Sequence, residues 1–192
     1  MKKFSFGMTE VAASFLGAVL FAFLEWIEEY CLSMGGAIAA TLCNSVQFSL
    51  VILAVTVSIY GHATGVVGAA LGLLATHIVL PTATTVPSDV SVMAFVLIIG
   101  AFSDKFRVRS GAFGIQEFFD FAAVSVMACI VSDVLIAPML SFVLYRLDFY
   151  ETILKGLRST IGNCIATVIV CGAVLGMVSA IINLTKKNNN EI

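Results

Sequence analysis

Three carboxylates surround a tryptophan in the segment Glu25-Trp26-Ile27-Glu28-Glu29, which follows an apolar run from Val11 to Leu24. Glu25 and Glu29 are four residues apart, so they share one face of a helix. Ionisable groups are costly to bury in a membrane and are therefore candidates for function. Together with Trp26, the two carboxylates could hold a cationic or amine-bearing ligand. A solvated helix end is the alternative, and the sequence leaves both open.

Further polar side chains lie near or inside apolar segments. Asn44 and Gln47 precede the second segment, where they either bind a polar ligand or cap the helix. His77, near the end of the third, either contacts a ligand or, the slightly favoured interpretation, packs against a neighbouring helix. Asp133 lies well inside the fifth and needs a partner, which is a protein donor, water or a ligand. The predicted ligand-binding residues are Glu25, Trp26, Glu29, Asn44, Gln47, His77, Asp133, Tyr145 and Asn163.

Enzyme and metal signatures are missing from the sequence. It contains no GxSxG, HExxH or Walker motif. His62 and His77 are predicted at opposite membrane faces, so they do not form a metal site together. The five cysteines include no CxxC pair and are interpreted as small buried thiols, with a Cys31–Cys43 disulfide as a weakly supported alternative. We therefore expect neither an enzyme nor a cofactor.

The composition indicates an integral membrane protein. The 192 residues are 60% hydrophobic and 11% charged, with a mean hydropathy of +1.06, whereas soluble domains are about 25% charged. The formal net charge of −2 gives no support for nucleic-acid binding. The length fits about six spans of roughly 20 residues. We predict an all-α fold in which residues 1–192 form a single integral membrane domain.

Six apolar segments position these side chains. The predicted spans are Thr9–Ile27, Val46–Tyr60, Ala63–Leu80, Val90–Phe102, Gln116–Tyr145 and Ile161–Leu184. The second span could also start nearer Ala37. Between spans, Pro81–Asp89 is predicted as a loop and Arg146–Arg158 as a charged connection. Pro138 is predicted to kink the fifth span.

The distribution of basic residues predicts the orientation. With six spans, one side holds seven basic residues and the other holds three. The first set is Lys2, Lys3, Lys105, Arg107, Arg109, Lys186 and Lys187; the second is Arg146, Lys155 and Arg158. Because basic residues favour the cytoplasmic side, both termini are predicted in the cytoplasm of a prokaryotic cell, with a multi-pass chain in the cell membrane.

Small residues recur at helical spacing in the first span. Ser14, Ala18 and Ala22 are four residues apart and form one smooth stripe. Such a stripe lets another helix approach closely in a membrane. We therefore predict that these three residues dock a partner.

In these features the whole chain resembles the substrate-binding S components of energy-coupling factor (ECF) transporters. The size, the six spans and the cytoplasmic termini agree with that family. The stripe Ser14-x-x-x-Ala18-x-x-x-Ala22 is similar to the family's Ala-x-x-x-Ala docking motif. The segment Tyr60–Gly68 resembles the glycine-rich opening of the family's third helix, with His62 where proline is common. Ile136-Ala137-Pro138 is similar to an uncharacterised branch of such proteins.

The resemblance implies a mechanism of uptake. An S component captures a vitamin or related micronutrient at the outer face. It associates with a transmembrane T component that is driven by two cytoplasmic ATPases, and it is thought to topple in the membrane to release its ligand inside. Ser14, Ala18 and Ala22 would then face the T component.

Two other functions and the nature of the ligand stay open. A membrane scaffold of the rod-shape-determining type has a similar size and span count but needs no ligand, and a membrane-embedded enzyme is disfavoured by the missing motifs. The acidic outer end favours a cationic or amine-containing ligand. Arg146, Lys155 and Arg158 nearby leave an anionic group on the ligand open as well.

Overall fold

The structure is a computed structural model that describes residues 7–33, 46–80 and 85–190. In these ranges the chain is helical, contains no β-strand and forms six long helices. The first four are α1 (Met8–Ser33), α2 (Phe48–Tyr60), α3 (His62–Val79) and α4 (Val86–Phe102). The fifth, α5, joins Ile115–Cys129, Ile130–Ile136 and Ala137–Tyr145, and the sixth, α6, joins Phe149–Ala166, Thr167–Cys171 and Gly172–Asn190.

Five of the described helices are long and apolar enough to cross a membrane, namely all except α2. Helix α2 is strongly apolar but has only 13 residues, fewer than the roughly 20 that a full span needs. Residues 34–45, which include the alternative start of this span, lie outside the described ranges. The chain is therefore a multi-pass helical membrane protein with five to six apolar helices.

Helix α4 begins earlier than the sequence suggested. The prediction of a loop up to Asp89 was wrong, because the helix starts at Val86 and includes Pro87 in its first turn. The nitrogen of proline has no hydrogen to donate, but the N–H groups of a first helical turn have no intrahelical acceptor in any case. Proline therefore starts this helix rather than preventing it.

The prediction of a charged connection from Arg146 to Arg158 was also wrong. Helix α6 begins at Phe149, so most of that segment is helical. Asp148 caps it by accepting a hydrogen bond from the Glu151 N–H at 2.8 Å, an interaction that stabilises helix starts. Arg146 ends α5 in the left-handed conformation, with φ 56°. The connection is thus only three residues long, and the polar side chains after it lie on helical faces.

The small-residue stripe of α1 packs inside the protein, against α3. Ser14 and Ala18 are 2% and 4% exposed, and the Ser14 hydroxyl donates to the Thr64 carbonyl at 3.2 Å. A Cβ built on Gly68 would lie 3.2 Å from the Ser14 carbonyl oxygen, and one on Gly72 would lie 3.4 Å from the Ala18 Cα. In this structure α3 therefore covers Ser14 and Ala18, and the docking of Ser14, Ala18 and Ala22 to a partner stays a prediction. Four-residue spacing predicts close helix packing but does not identify the neighbour.

Helix α5 is irregular just before Pro138, where a kink was predicted, because its backbone there is π-helical. The segment Ile130–Ile136 is π-helical and ends just before Pro138. Proline disrupts the regular hydrogen bonds of the preceding turn, and π turns are one way a helix accommodates such a disruption. Asp133 lies in the middle of this segment, so the irregular backbone coincides with a buried carboxylate.

A one-residue turn joins α2 to α3. Gly61 adopts φ 93°, a conformation that side-chain-bearing residues rarely reach.

The core of the bundle is built from large apolar side chains, with Phe21, Leu53 and Phe95 fully buried. At the end of the bundle that contains Gly61, an ion pair of 2.9 Å joins Arg109 to Glu10.

Candidate functional site

One end of the bundle contains a polar cavity of about 300 Å³. At this end, which we call the pocket end, α1 ends, α2 and α4 begin, α5 ends and α6 begins. The volume falls at the lower limit of ligand pockets, about 300–1,000 Å³. Six serine and threonine side chains contribute to the wall: Thr85, Ser88, Ser91, Ser141, Thr152 and Ser159.

Asp133 is the buried acid of this cavity. Its side chain is 7% exposed, and Ser132 donates to Oδ1 at 3.0 Å while Asn163 donates to Oδ2 at 2.8 Å. A carboxylate offers about four acceptor positions. Ser132 and Asn163 therefore leave acceptor positions for a hydrogen-bond donor on a ligand.

Asn163 connects the acid to the start of α2. Its Nδ2 donates to Asp133, and its Oδ1 accepts the Gln47 N–H at 2.8 Å. Because both ends of the amide are used and the side chain is only 1% exposed, its orientation is fixed. Gln47 itself lines the cavity. The interaction thus joins α5, α6 and the residue before α2 around the cavity wall.

Gly156 allows α6 to approach the π-helical segment of α5 closely. It is buried and lines the cavity. A Cβ at this position would clash with the backbone carbonyl oxygen of Asp133. Glycine is therefore required for the close backbone contact that places the acid beside α6.

A second polar cluster at the pocket end involves the acidic end of α1. The Glu28 carboxylate accepts the Ser49 N–H at 3.1 Å, and the Ser49 hydroxyl donates to Glu25. The residue that precedes α2, Gln47, makes no side-chain capping bond. Glu28 therefore caps α2 from the neighbouring helix. This role explains why Glu28 is buried, at 8% exposure.

Trp26 and Glu29 face away from this cluster. Both are exposed, and Trp26 stacks between Phe23 and Tyr30 with centroid separations of 6.0 and 5.8 Å. The structure therefore does not bring Trp26 and Glu29 together with the inward-facing carboxylates. The exposed row of rings suits a membrane boundary, where aromatic side chains concentrate.

His77 pairs with Asp89 across the pocket end. The distance from His77 Nε2 to Asp89 Oδ2 is 2.8 Å, and the contact joins the end of α3 to the start of α4. Of the two alternatives for His77, the described contacts show the interhelical one. Asn44 and Cys43 lie outside the described residues.

The predicted residues therefore divide into two groups. Gln47, Asp133 and Tyr145 line the cavity and Asn163 adjoins it, whereas Glu25, Trp26, Glu29 and His77 do not line it. Sequence reasoning missed Thr152, Lys155, Gly156 and Ser159 as cavity-lining residues. Their spacing of three, four and seven residues marks one helical face. That signal was hidden by treating the segment as a connection.

A larger cavity of about 370 Å³ lies at the opposite end of the bundle. Its basic residues already have acidic partners, since Arg109 binds Glu10 and Arg107 lies 3.6 Å from Glu117. The arginine side chains are 55% and 61% exposed. Their charges are largely compensated, so the cavity around Asp133 is the better candidate for selective binding. Among the described residues there is no cluster of three or more His, Cys, Asp or Glu that could hold a metal ion.

The chain is similar to one known protein over most of its length and to another over part of its length. The chain is 24% identical over 176 residues to a UPF0397 protein of Lactobacillus helveticus (strain DPC 4571), covering 91% of this chain and 90% of the relative. It is 34% identical over 71 residues to a UPF0397 protein of Lacticaseibacillus casei (strain BL23), covering 37% and 38% of the two chains. No protein-family model and no solved structure matches the chain.

Proposed function

We propose that this protein is the substrate-binding subunit of an ECF-type importer, which captures a vitamin or related micronutrient at the outer face of the cell membrane. The observation that carries the proposal is the polar cavity around Asp133 at one end of an otherwise apolar bundle. Polar groups inside membrane proteins are expensive and mark ligand or ion sites. The distribution of basic residues favours an outward-facing pocket end.

The energy for uptake comes from partners in this proposal. The sequence has no Walker motif, so the chain would deliver its ligand through a transmembrane T component driven by two cytoplasmic ATPases. Ser14 and Ala18 are buried against α3. The T component would therefore contact another surface of the bundle, or the α1–α3 contact would open during transport.

The main alternative is a membrane scaffold of the rod-shape-determining type. A scaffold needs neither a buried acid nor hydroxyl groups around a cavity, and it is therefore supported less well than substrate capture. We propose no enzymatic activity, because the sequence contains no GxSxG, HExxH or Walker motif.

Affinity purification in mild detergent tests the assembly directly. The tagged chain is produced in its own host, and the proteins that co-purify are identified by mass spectrometry. We expect a second transmembrane protein together with two ATPases, and an unrelated membrane protein with the same tag serves as the control. Recovery of cell-shape proteins without ATPases would contradict the proposal and favour the scaffold.

A further inference from the structure

Lys155 is an exposed cation at the candidate site that forms no ion pair with the described residues. It lines the cavity from the second turn of α6. Within the described part of the chain its ammonium group makes no ion pair or hydrogen bond. The acid of the same cavity accepts hydrogen bonds from Ser132 and Asn163. Among the described residues that line the cavity, Lys155 is the one basic side chain, and it is therefore available to a ligand.

The hydroxyl groups beside Lys155 add hydrogen-bond acceptors. Ser159 donates to the Gly156 carbonyl at 3.0 Å, and Thr152 donates to the Asp148 carbonyl at 2.9 Å. With their hydrogens directed at these carbonyls, the two hydroxyl oxygens can accept hydrogen bonds from a ligand. The α6 side of the cavity thus combines one cationic donor with neutral acceptors.

We propose that the ligand is a water-soluble molecule whose anionic group, a carboxylate or a phosphate, binds Lys155, while an N–H or O–H group of the same molecule donates to Asp133. This inference rests on the proposed function, because it assigns a chemical class to the ligand captured there. A charge-assisted bond to an ammonium is roughly twice as strong as a neutral hydrogen bond. Lys155 therefore orients the ligand as well as retaining it.

Native mass spectrometry of the protein purified from cells in rich medium tests the inference. The retained small molecule is released and fragmented, and a carboxylate or phosphate is expected in its spectrum. Rebinding of that molecule to the stripped protein is then measured. Lys155→Met is expected to weaken binding by about tenfold or more, the effect of losing a charge-assisted hydrogen bond. Lys155→Arg keeps the charge and should retain most of the affinity.

Arg158→Met is the matched control, because Arg158 is an exposed cation three residues further along α6 that does not line the cavity. It should leave affinity unchanged. Equal effects of Lys155→Met and Arg158→Met, a retained molecule without an anionic group, or a retained phospholipid would each overturn the inference. The first two outcomes leave substrate capture intact. A wild-type protein that retains no small molecule would instead contradict the proposed function itself.

Discussion

Asn163 is the side chain on which the candidate site depends most at the scale of single residues. Its amide contacts both the buried carboxylate of Asp133 and the backbone N–H of Gln47. The sequence predicted Asp133 and Asn163 as site residues because polar groups inside apolar segments need partners. It could not show that they are partners of each other, since they lie 30 residues apart on different helices.

Replacing Asn163 by alanine should destabilise the protein. The substitution leaves the Asp133 carboxylate with one donor fewer and the Gln47 N–H unpaired, which costs about 1–3 kcal/mol. The check is the unfolding free energy in detergent. Asn188→Ala, an exposed amide near the end of α6, is the control and should change stability little. If both variants unfold alike, the hydrogen bonds of Asn163 do not stabilise the site.

The acidic end of α1 shows that residue types alone do not predict the roles of individual side chains. Three carboxylates beside a tryptophan predicted a ligand site, but Glu28 caps α2 and Trp26 is exposed. Charge and spacing could not reveal these roles, because the start of α2 becomes a neighbour of α1 only through folding. Of the predicted ligand-binding residues, Gln47, Asp133 and Tyr145 therefore line the cavity, and the acidic end of α1 does not.

At the scale of elements, helix α6 shows why some site residues could not be recognised from the sequence. Two of its glycines, Gly156 and Gly176, are in opposite environments, since a Cβ on Gly156 meets the Asp133 backbone and a Cβ on Gly176 meets nothing within 4 Å. Recognising the first of these as a site residue from sequence would have required knowing that α6 begins at Phe149. The basic residues there suggested a solvated connection instead.

Alanine substitutions at these two glycines should have opposite effects. Gly156→Ala forces α5 and α6 apart and is expected to cost about 1–3 kcal/mol through overpacking. Gly176→Ala should be neutral or stabilising by up to ~1 kcal/mol, because alanine favours the helix. Thermal unfolding of both variants in the same detergent measures the difference. Equal stability of Gly156→Ala and wild type would mean that the two backbones are not in close contact.

The α1–α3 interface gives a second test between elements. Ala18 packs against Gly72, so Ala18→Leu should lower stability by about 1–3 kcal/mol, measured as a lower midpoint of thermal unfolding. Ala12→Leu, on the exposed face of the same helix, is the control and should have little effect. An Ala18→Leu protein of normal stability that nevertheless loses uptake would instead support the original docking interpretation.

At the scale of the whole molecule, hydropathy predicted the architecture well. The all-helical fold and the apolar segments were visible in the sequence, because apolar runs of membrane length have few alternatives. Helix starts and helix neighbours were not, since they depend on capping groups such as Asp148 and on contacts between distant segments. The cavity forms where these neighbouring helices meet.

The central claim is that this cavity holds a small molecule. A substitution that fills the cavity with a bulky side chain tests that claim most directly. Ser141 lines the cavity, whereas Met139, two residues earlier on α5, is 58% exposed and does not. Wild type, Ser141→Phe and Met139→Phe are purified from the same rich medium, and native mass spectrometry measures the fraction of each that retains a small molecule. We predict retention by wild type and Met139→Phe and loss by a folded Ser141→Phe. Equal retention by all three proteins would contradict the assignment of the cavity.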